Sequence, residues 1–129
     1  MSLAPQGKPT IKIPRSIVPA CDMDDLKDFE GLVKQTCKVA GIGAYKPGFE
    51  LGLKYGLPAV VKACRKYTDL PIIYDHQKAG TDVPFTGGRF AKVCKEAGID
   101  AVILFPQAGP ATESEWIKAC FKAGLGVIV

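Results

Sequence analysis

The chain has 129 residues, of which 47% are hydrophobic and 23% are charged, and its formal net charge is +4. This length and composition fit one folded domain with a real core and exclude a disordered chain. No apolar run approaches the roughly 20 residues of a membrane-spanning helix, and no basic cluster indicates nucleic-acid binding, whereas a mild positive excess suits an anionic small molecule.

The first 15 residues are polar and contain Pro and Gly, so we expect a flexible leader before a single domain at 16–129. The leader lacks the apolar stretch of a secretory signal. The five cysteines are odd in number and form no Cys-x-x-Cys pair. They are typical of small buried hydrophobic residues in a reducing compartment, which predicts a cytoplasmic protein without disulfides or structural zinc.

Short apolar runs alternate with amphipathic segments along the domain. In chain order, the sequence predicts a strand at 16–21, a helix from Asp24 or Asp25 to about Ala40, a strand at 42–45, a helical turn at 49–55, a helix from Pro58 to about Tyr67, a strand at 71–74, a helix from Thr86 to Gly98, a strand at 100–105, a helix at 114–123 and a strand at 125–129.

Three of these helices end in Ala-Gly, at Gly41, Gly98 and Gly124, and a strand follows each at once. Strands that alternate with helices in this way predict an α/β fold with a parallel sheet and right-handed crossovers. The repeat length fits a doubly wound sheet or a (β/α)8 TIM barrel. Because neither a dinucleotide-binding Gly fingerprint nor a phosphate-binding loop is present, the barrel is favoured.

A complete barrel has about 250 residues, whereas this chain contains five strand-helix units. The last four residues, 126–129, are apolar and would form an exposed strand edge, which is an aggregation hazard. We therefore expect the chain to be the N-terminal portion of a barrel, with further strands beyond Val129.

Charged residues follow the first three predicted strands. Asp22, Lys46 and Asp75 each stand where a strand ends, and Lys78 and Asp82 lie in the loop after the third. Since the carboxyl ends of parallel barrel strands share one face, we expect these side chains to converge. Flanking carboxylates keep a lysine protonated, and a lysine ammonium can stabilise a carbanion.

Structural explanations compete for several of these residues. Asp22 and Asp82 suit turns, Lys46 suits a solvated turn, and Thr86 is expected to cap a helix. His76 follows Asp75 and should face away from the site. Trp116 is expected to pack against the core.

The strand-end residues and the segment from Asp75 to Thr86 resemble the orotidine 5′-phosphate decarboxylase family. That family's signature is Asp-x-Lys-x-x-Asp, then an apolar-Pro pair and a threonine four residues past the last Asp. Asp82-Val83-Pro84-Phe85-Thr86 matches its final portion, and Asp22 and Lys46 match the charged residues after strands one and two. The resemblance covers the chain from Ile17 onward.

This resemblance implies a metal-free and cofactor-free lyase of pyrimidine synthesis, which converts orotidine 5′-phosphate into uridine 5′-phosphate. Lys78 would protonate C6 as carbon dioxide leaves, flanked by Asp75 and by Asp82 from the partner in a homodimer. Asp22 and Lys46 would hold the ribose hydroxyls, and Thr86 would reach the partner's nucleotide. The residues that bind the phosphate would lie after strands six to eight.

The spacing departs from the family at one point, because this chain reads Asp-x-x-Lys-x-x-x-Asp with one extra residue in each gap. Positions i and i+3 of a strand point to different faces. A bulge or an early turn, for which Gly80 is suited, would be needed to bring Lys78 into the site.

Two other functions remain open. A magnesium-dependent relative, such as a hexulose-phosphate synthase or a keto-gulonate-phosphate decarboxylase, would need a carboxylate after strand two, where this chain has Lys46 with Glu50 four residues on. The alternative is a relative or fragment without catalysis that binds a nucleotide or forms a dimer.

Overall fold

Five parallel strands, paired in the order in which they occur in the chain, form the centre of the fold. This computed structural model describes residues 8–129. Hydrogen bonds from Tyr45 N to Pro71 O and from Asp75 N to Pro47 O join the second strand to the third, so the sheet is continuous. Within residues 8–129, the strands lie in chain order, without the reversal that a doubly wound sheet requires.

The regular elements alternate as the sequence predicts. They are β1 (Ala20–Cys21), α1 (Leu26–Thr36), β2 (Lys46–Pro47), α2 (Phe49–Tyr55), α3 (Leu57–Arg65), β3 (Ile73–Tyr74), α4 (Gly87–Glu96), β4 (Ala101–Ile103), α5 (Pro110–Lys122) and β5 (Gly126–Ile128), with 3-10 turns at Pro84–Thr86 and Pro106–Ala108. Within residues 8–129, no helix is long and apolar enough to cross a membrane.

The strands are shorter than predicted, and β2 lies further along the chain. The predicted strand at 42–45 contributes single bridges at Ile42 and Tyr45, while the continuous strand is Lys46–Pro47. In the first strand, Pro19 has no N–H to donate, and its carbonyl accepts from Lys46 N. Lys46 therefore belongs to a strand rather than to the turn after one.

Several helix ends also differ from the prediction. α1 ends at Thr36 rather than Ala40, where the Thr36 hydroxyl bonds both Leu32 O and the Tyr45 hydroxyl. α5 begins at Pro110 rather than at residue 114, because proline suits the first helical turn. Asp25 is the N-cap of α1, and its carboxylate accepts from the amides of Lys27 and Asp28.

The main core lies between the outer face of the sheet and the helices. It consists of side chains with almost no exposed surface, among them Phe29, Tyr45, Leu51, Ile72 and Val102. Four of the five cysteines are buried, with Cys37 the partly exposed one, and none forms a disulfide. Trp116 is buried on α5, as expected of a packing residue.

A smaller apolar cluster lies on the opposite, inner face of the sheet. Ala44, Ile73 and Ala101 form its centre, and Ile11 of the leader packs against them. The predicted leader at 1–15 is thus partly in contact with the sheet, while its first seven residues lie outside the described part of the chain. Side chains on the inner face point toward the space where a barrel has its interior.

Candidate active site

Asp22, Lys46 and Asp75 meet at the carboxyl ends of three neighbouring strands. Lys46 Nζ lies 2.7 Å from Asp75 Oδ2 and 3.8 Å from Asp22 Oδ1. The Lys46 and Asp75 side chains are mostly buried, with 19% and 13% of their surface exposed, whereas Asp22 is half exposed. The structure therefore brings together three of the six residues that the sequence singled out, as an ammonium between two carboxylates.

The pairing of the strands explains this convergence. Ala20 pairs with Lys46, and Gly48 pairs with Asp75, so the three side chains come from aligned positions at one end of the sheet. Gly48 also makes room for Asp22, because a Cβ at Gly48 would lie 2.7 Å from Asp22 Oδ1. Only glycine leaves that carboxylate in its present position.

Asp75 has a second bond that connects the site to the following loop. Its Oδ1 accepts from the backbone amide of Gln77, at 3.1 Å, while its Oδ2 accepts from Lys46. The two carboxylate oxygens thus hold one residue of the site and one residue of the loop. This arrangement fixes the carboxylate in a single orientation.

Lys78, Asp82 and Thr86 are not brought into this cluster. Within residues 8–129, Lys78 and Asp82 form no ion pair, and both side chains are exposed. Asp82 Oδ1 accepts from the amide of Val83, and the Thr86 hydroxyl donates to Val83 O. Thr86 precedes α4 without capping it through its side chain, so the expected N-cap bond is absent there.

The segment between Asp75 and Asp82 contains two residues with a left-handed backbone conformation. Gln77 has φ of 64° and Gly80 has φ of 88°. Gly80 packs under Phe105, where a Cβ would lie 2.9 Å from the Phe105 carbonyl, and the Phe105 amide donates to Ala79 O at 2.8 Å. The segment therefore turns at Gln77 as well as at Gly80, but this turn leaves the Lys78 side chain exposed and outside the cluster.

His76 points away from the cluster, as expected for the neighbour of Asp75. Its Nδ1 lies 2.6 Å from the hydroxyl of Tyr74, and its ring contacts Phe90 of α4. Burial raises the pKa of Tyr74 to about 12, so the phenol stays protonated and able to donate. Sequence reasoning missed this pair, and the alternation Tyr74, Asp75, His76 was the signal that could have revealed it.

The cluster suits the binding of hydroxyl groups. The space between the two carboxylates is filled by the Lys46 ammonium, and within the described residues no group of three or more His, Cys, Asp or Glu side chains could hold a metal ion. Lysine and carboxylate side by side offer both donors and acceptors, which is what a sugar hydroxyl requires.

The fold and this strand-end site define a class, the parallel α/β proteins with charged side chains at the carboxyl ends of their strands. No protein-family model matches the chain, and no curated protein matches it in sequence. Solved structures do match. Orotidine 5′-monophosphate decarboxylase from Methanocaldococcus jannaschii superposes with a TM-score of 0.71 and 22% identity over 88% of this chain and 52% of its own.

Two further solved structures are similar. An uncharacterized conserved protein from Geobacillus kaustophilus gives a TM-score of 0.66 with 22% identity, covering 83% of this chain and 46% of its own. Orotidine 5′-phosphate decarboxylase from Pyrococcus horikoshii OT3 gives 0.62 with 23% identity, covering 79% and 47%. This chain spans about half the length of these proteins, and at such identities the similarity shows a shared fold.

Proposed function

We propose that this chain carries the nucleoside-binding and proton-donating half of an orotidine 5′-phosphate decarboxylase. The observation that supports it most strongly is the Asp22, Lys46 and Asp75 cluster at three adjacent strand ends, beside a loop that carries Lys78. Two solved structures with a similar fold are decarboxylases of this substrate. The residues and the fold thus support the same activity independently.

In the proposed reaction, the bond between C6 of the pyrimidine and its carboxylate breaks, and the electron pair stays on C6. The Lys78 ammonium stabilises that negative charge and then gives C6 a proton, which yields uridine 5′-phosphate and carbon dioxide. Asp75 lies beside the reacting carboxylate and Lys46. Asp22 and Lys46 hold the ribose hydroxyls through the donors and acceptors described above.

Asp82 and Thr86 would act on the site of a second copy in a homodimer. Their positions support this, because both lie in an exposed segment and neither contacts the cluster of its own chain. Mixing a Lys78→Ala variant with an Asp82→Asn variant tests the arrangement. Random dimers would have one intact site in four, which restores about a quarter of the wild-type activity. No restoration would place Asp82 in its own chain's site.

The activity is tested by following the loss of orotidine 5′-phosphate absorbance with and without a chelator. We expect turnover that the chelator leaves unchanged and that Lys78→Ala abolishes. Lys62→Ala is the matched control, since Lys62 is an exposed lysine on α3 without an ion pair in the described residues. Turnover that disappears with the chelator would identify a magnesium-dependent relative, and no turnover would favour a binding or dimerising relative.

A further inference from the structure

The segment that carries Lys78 is held at both ends by one row of aromatic side chains. We call residues 76–83 the lysine loop. At its start, the His76 ring lies 6.2 Å from the Phe90 ring, and Phe90 lies 5.1 Å from Trp116. At its end, Trp116 Nε1 donates to Val83 O at 3.2 Å. The row therefore connects the first and last residues of the loop through Phe90 of α4 and Trp116 of α5.

Tyr74 anchors this row to the sheet. Its hydroxyl lies against α2, where a Cβ at Gly52 would approach it to 2.9 Å, and within residues 8–129 its hydrogen bond goes to His76 Nδ1. A buried hydroxyl needs a partner. The bond joins the Tyr74 hydroxyl to His76 Nδ1 at 2.6 Å, and the histidine tautomer decides which of the two donates.

Between these ends, the backbone is strained and only partly supported. Gln77 is a non-glycine residue with φ of 64°, a conformation that costs free energy and persists only where its surroundings enforce it. The supports include the Asp75 carboxylate on the Gln77 amide, the Phe105 amide on Ala79 O and the Thr81 amide and hydroxyl on Lys78 O. Lys78 lies between these two points with its side chain exposed.

From this geometry we propose that Tyr74 and His76 are positioning residues for Lys78. Their hydrogen bond fixes the residue immediately before the strained Gln77, and so it sets the direction in which the chain presents the lysine. The inference rests on the proposed function of Lys78. Neither residue contacts the cluster itself, so both act only through the path of the loop.

Tyr74→Phe tests the proposal, because it removes one hydroxyl and keeps the ring. Misplacing a catalytic group by about 1 Å costs up to ~100-fold in rate, so we expect kcat to fall at least ~10-fold while KM is unchanged. Tyr45→Phe is the matched control, since Tyr45 is another buried tyrosine whose hydroxyl bonds a side chain, Thr36, away from the loop. It should lose similar stability and keep its kcat.

Two substitutions at His76 give a second test of the positioning role. His76→Asn places an amide group, which can donate or accept, near the position of Nδ1 and should keep most of the activity, whereas His76→Leu should lose it. Equal losses in both variants, or a kcat for Tyr74→Phe equal to that of Tyr45→Phe, would overturn the proposal.

Amide hydrogen exchange separates this proposal from the proposed function. The Phe105 amide, which donates to Ala79 O, and the Thr81 amide, which donates to Lys78 O, report whether the loop is closed. We expect both to exchange at least ~10-fold faster in Tyr74→Phe than in Tyr45→Phe. If the wild type shows no turnover, the proposed function fails and exchange alone decides whether the pair positions the loop. Unchanged exchange would overturn the positioning role.

Discussion

Two ion pairs at opposite ends of the strands have the same length but different surroundings. At the carboxyl ends, Lys46 lies 2.7 Å from Asp75, and at the amino ends, Arg65 lies 2.7 Å from Asp100. We call these ends the mouth and the base. The mouth pair is the more buried of the two, with 19% and 13% of the side chains exposed against 30% and 36% at the base.

Both residues of the ion pair at the base also form hydrogen bonds with backbone groups. Arg65 donates to Leu70 O at 2.7 Å, and the Asp100 oxygen that it contacts also accepts from Ile72 N. The Lys46 ammonium, in contrast, pairs only with carboxylates, those of Asp75 and Asp22, within the described part of the chain. The Arg65 charge is held by a backbone carbonyl and so stabilises the fold, whereas the Lys46 ammonium, paired with side chains at an open edge, remains available to a ligand.

The largest expected difference comes from removing the mouth carboxylate. Asp75→Asn keeps the shape of the side chain but removes its charge, so we expect kcat to fall at least ~100-fold. Stability should fall by only about 1 kcal/mol, because Lys46 can turn toward Asp22. Steady-state kinetics and urea unfolding measure the two quantities. A large loss of stability in Asp75→Asn, together with an unchanged kcat, would contradict this difference between the mouth and the base.

The converse variant is Arg65→Met at the base. It removes charged hydrogen bonds to Leu70 O and Asp100, and we expect a loss of about 2 to 3 kcal/mol in the free energy of unfolding. At temperatures below the unfolding transition of Arg65→Met, kcat should be unchanged. Lys66→Met is the matched control, because its pair with Glu30 is on the surface and should contribute under about 1 kcal/mol. Equal losses in the two variants would show that the base pair has no special role.

A smaller effect is expected from Gly48→Ala at the mouth. The new methyl group displaces the Asp22 carboxylate, so we expect KM to rise several-fold with little change in kcat. Gly31→Ala is the control, because a Cβ there meets no atom within 4 Å and α1 should become more stable by up to about 1 kcal/mol. If KM does not change in Gly48→Ala, Asp22 does not hold the substrate in this position.

The smallest effect is expected from a label at the base. Cys37 is partly exposed and lines a cavity there, while burial raises the pKa of Cys21 to about 11 and that of Cys64 to about 12. At pH 8, a maleimide should therefore modify Cys37 alone. Activity should be unchanged in the labelled protein. A loss of activity that Cys37→Ser prevents would connect the base to catalysis.

The sequence predicted the parallel α/β fold and the convergence of Asp22, Lys46 and Asp75, because strand ends and apolar periodicity are local signals. It could not predict that Lys46 lies within a strand, since Ile42 to Tyr45 reads as the apolar run and pairing decides the register. The expected N-cap bond of Thr86 failed because the helix is preceded by a 3-10 turn from Pro84.

The path of the lysine loop was beyond sequence reasoning for a different reason. The extra residues and Gly80 indicated a turn, but Gln77 has no intrinsic preference for positive φ. It is held there by the Asp75 carboxylate, and the loop by Phe105 from the next unit of the chain. Such contacts depend on tertiary structure, so the roles of Lys78, Asp82 and Thr86 stay predictions.

The order of the strands also has a consequence for how the molecule forms. Each of the first four strands pairs with one that lies 25 to 28 residues further along the chain. Every step of pairing thus closes a loop of nearly the same length and entropic cost, and a sheet of this kind can grow one unit at a time during synthesis. The three charged residues of the mouth belong to the first three strands, so they meet as soon as β3 pairs, before the last two strands have been added.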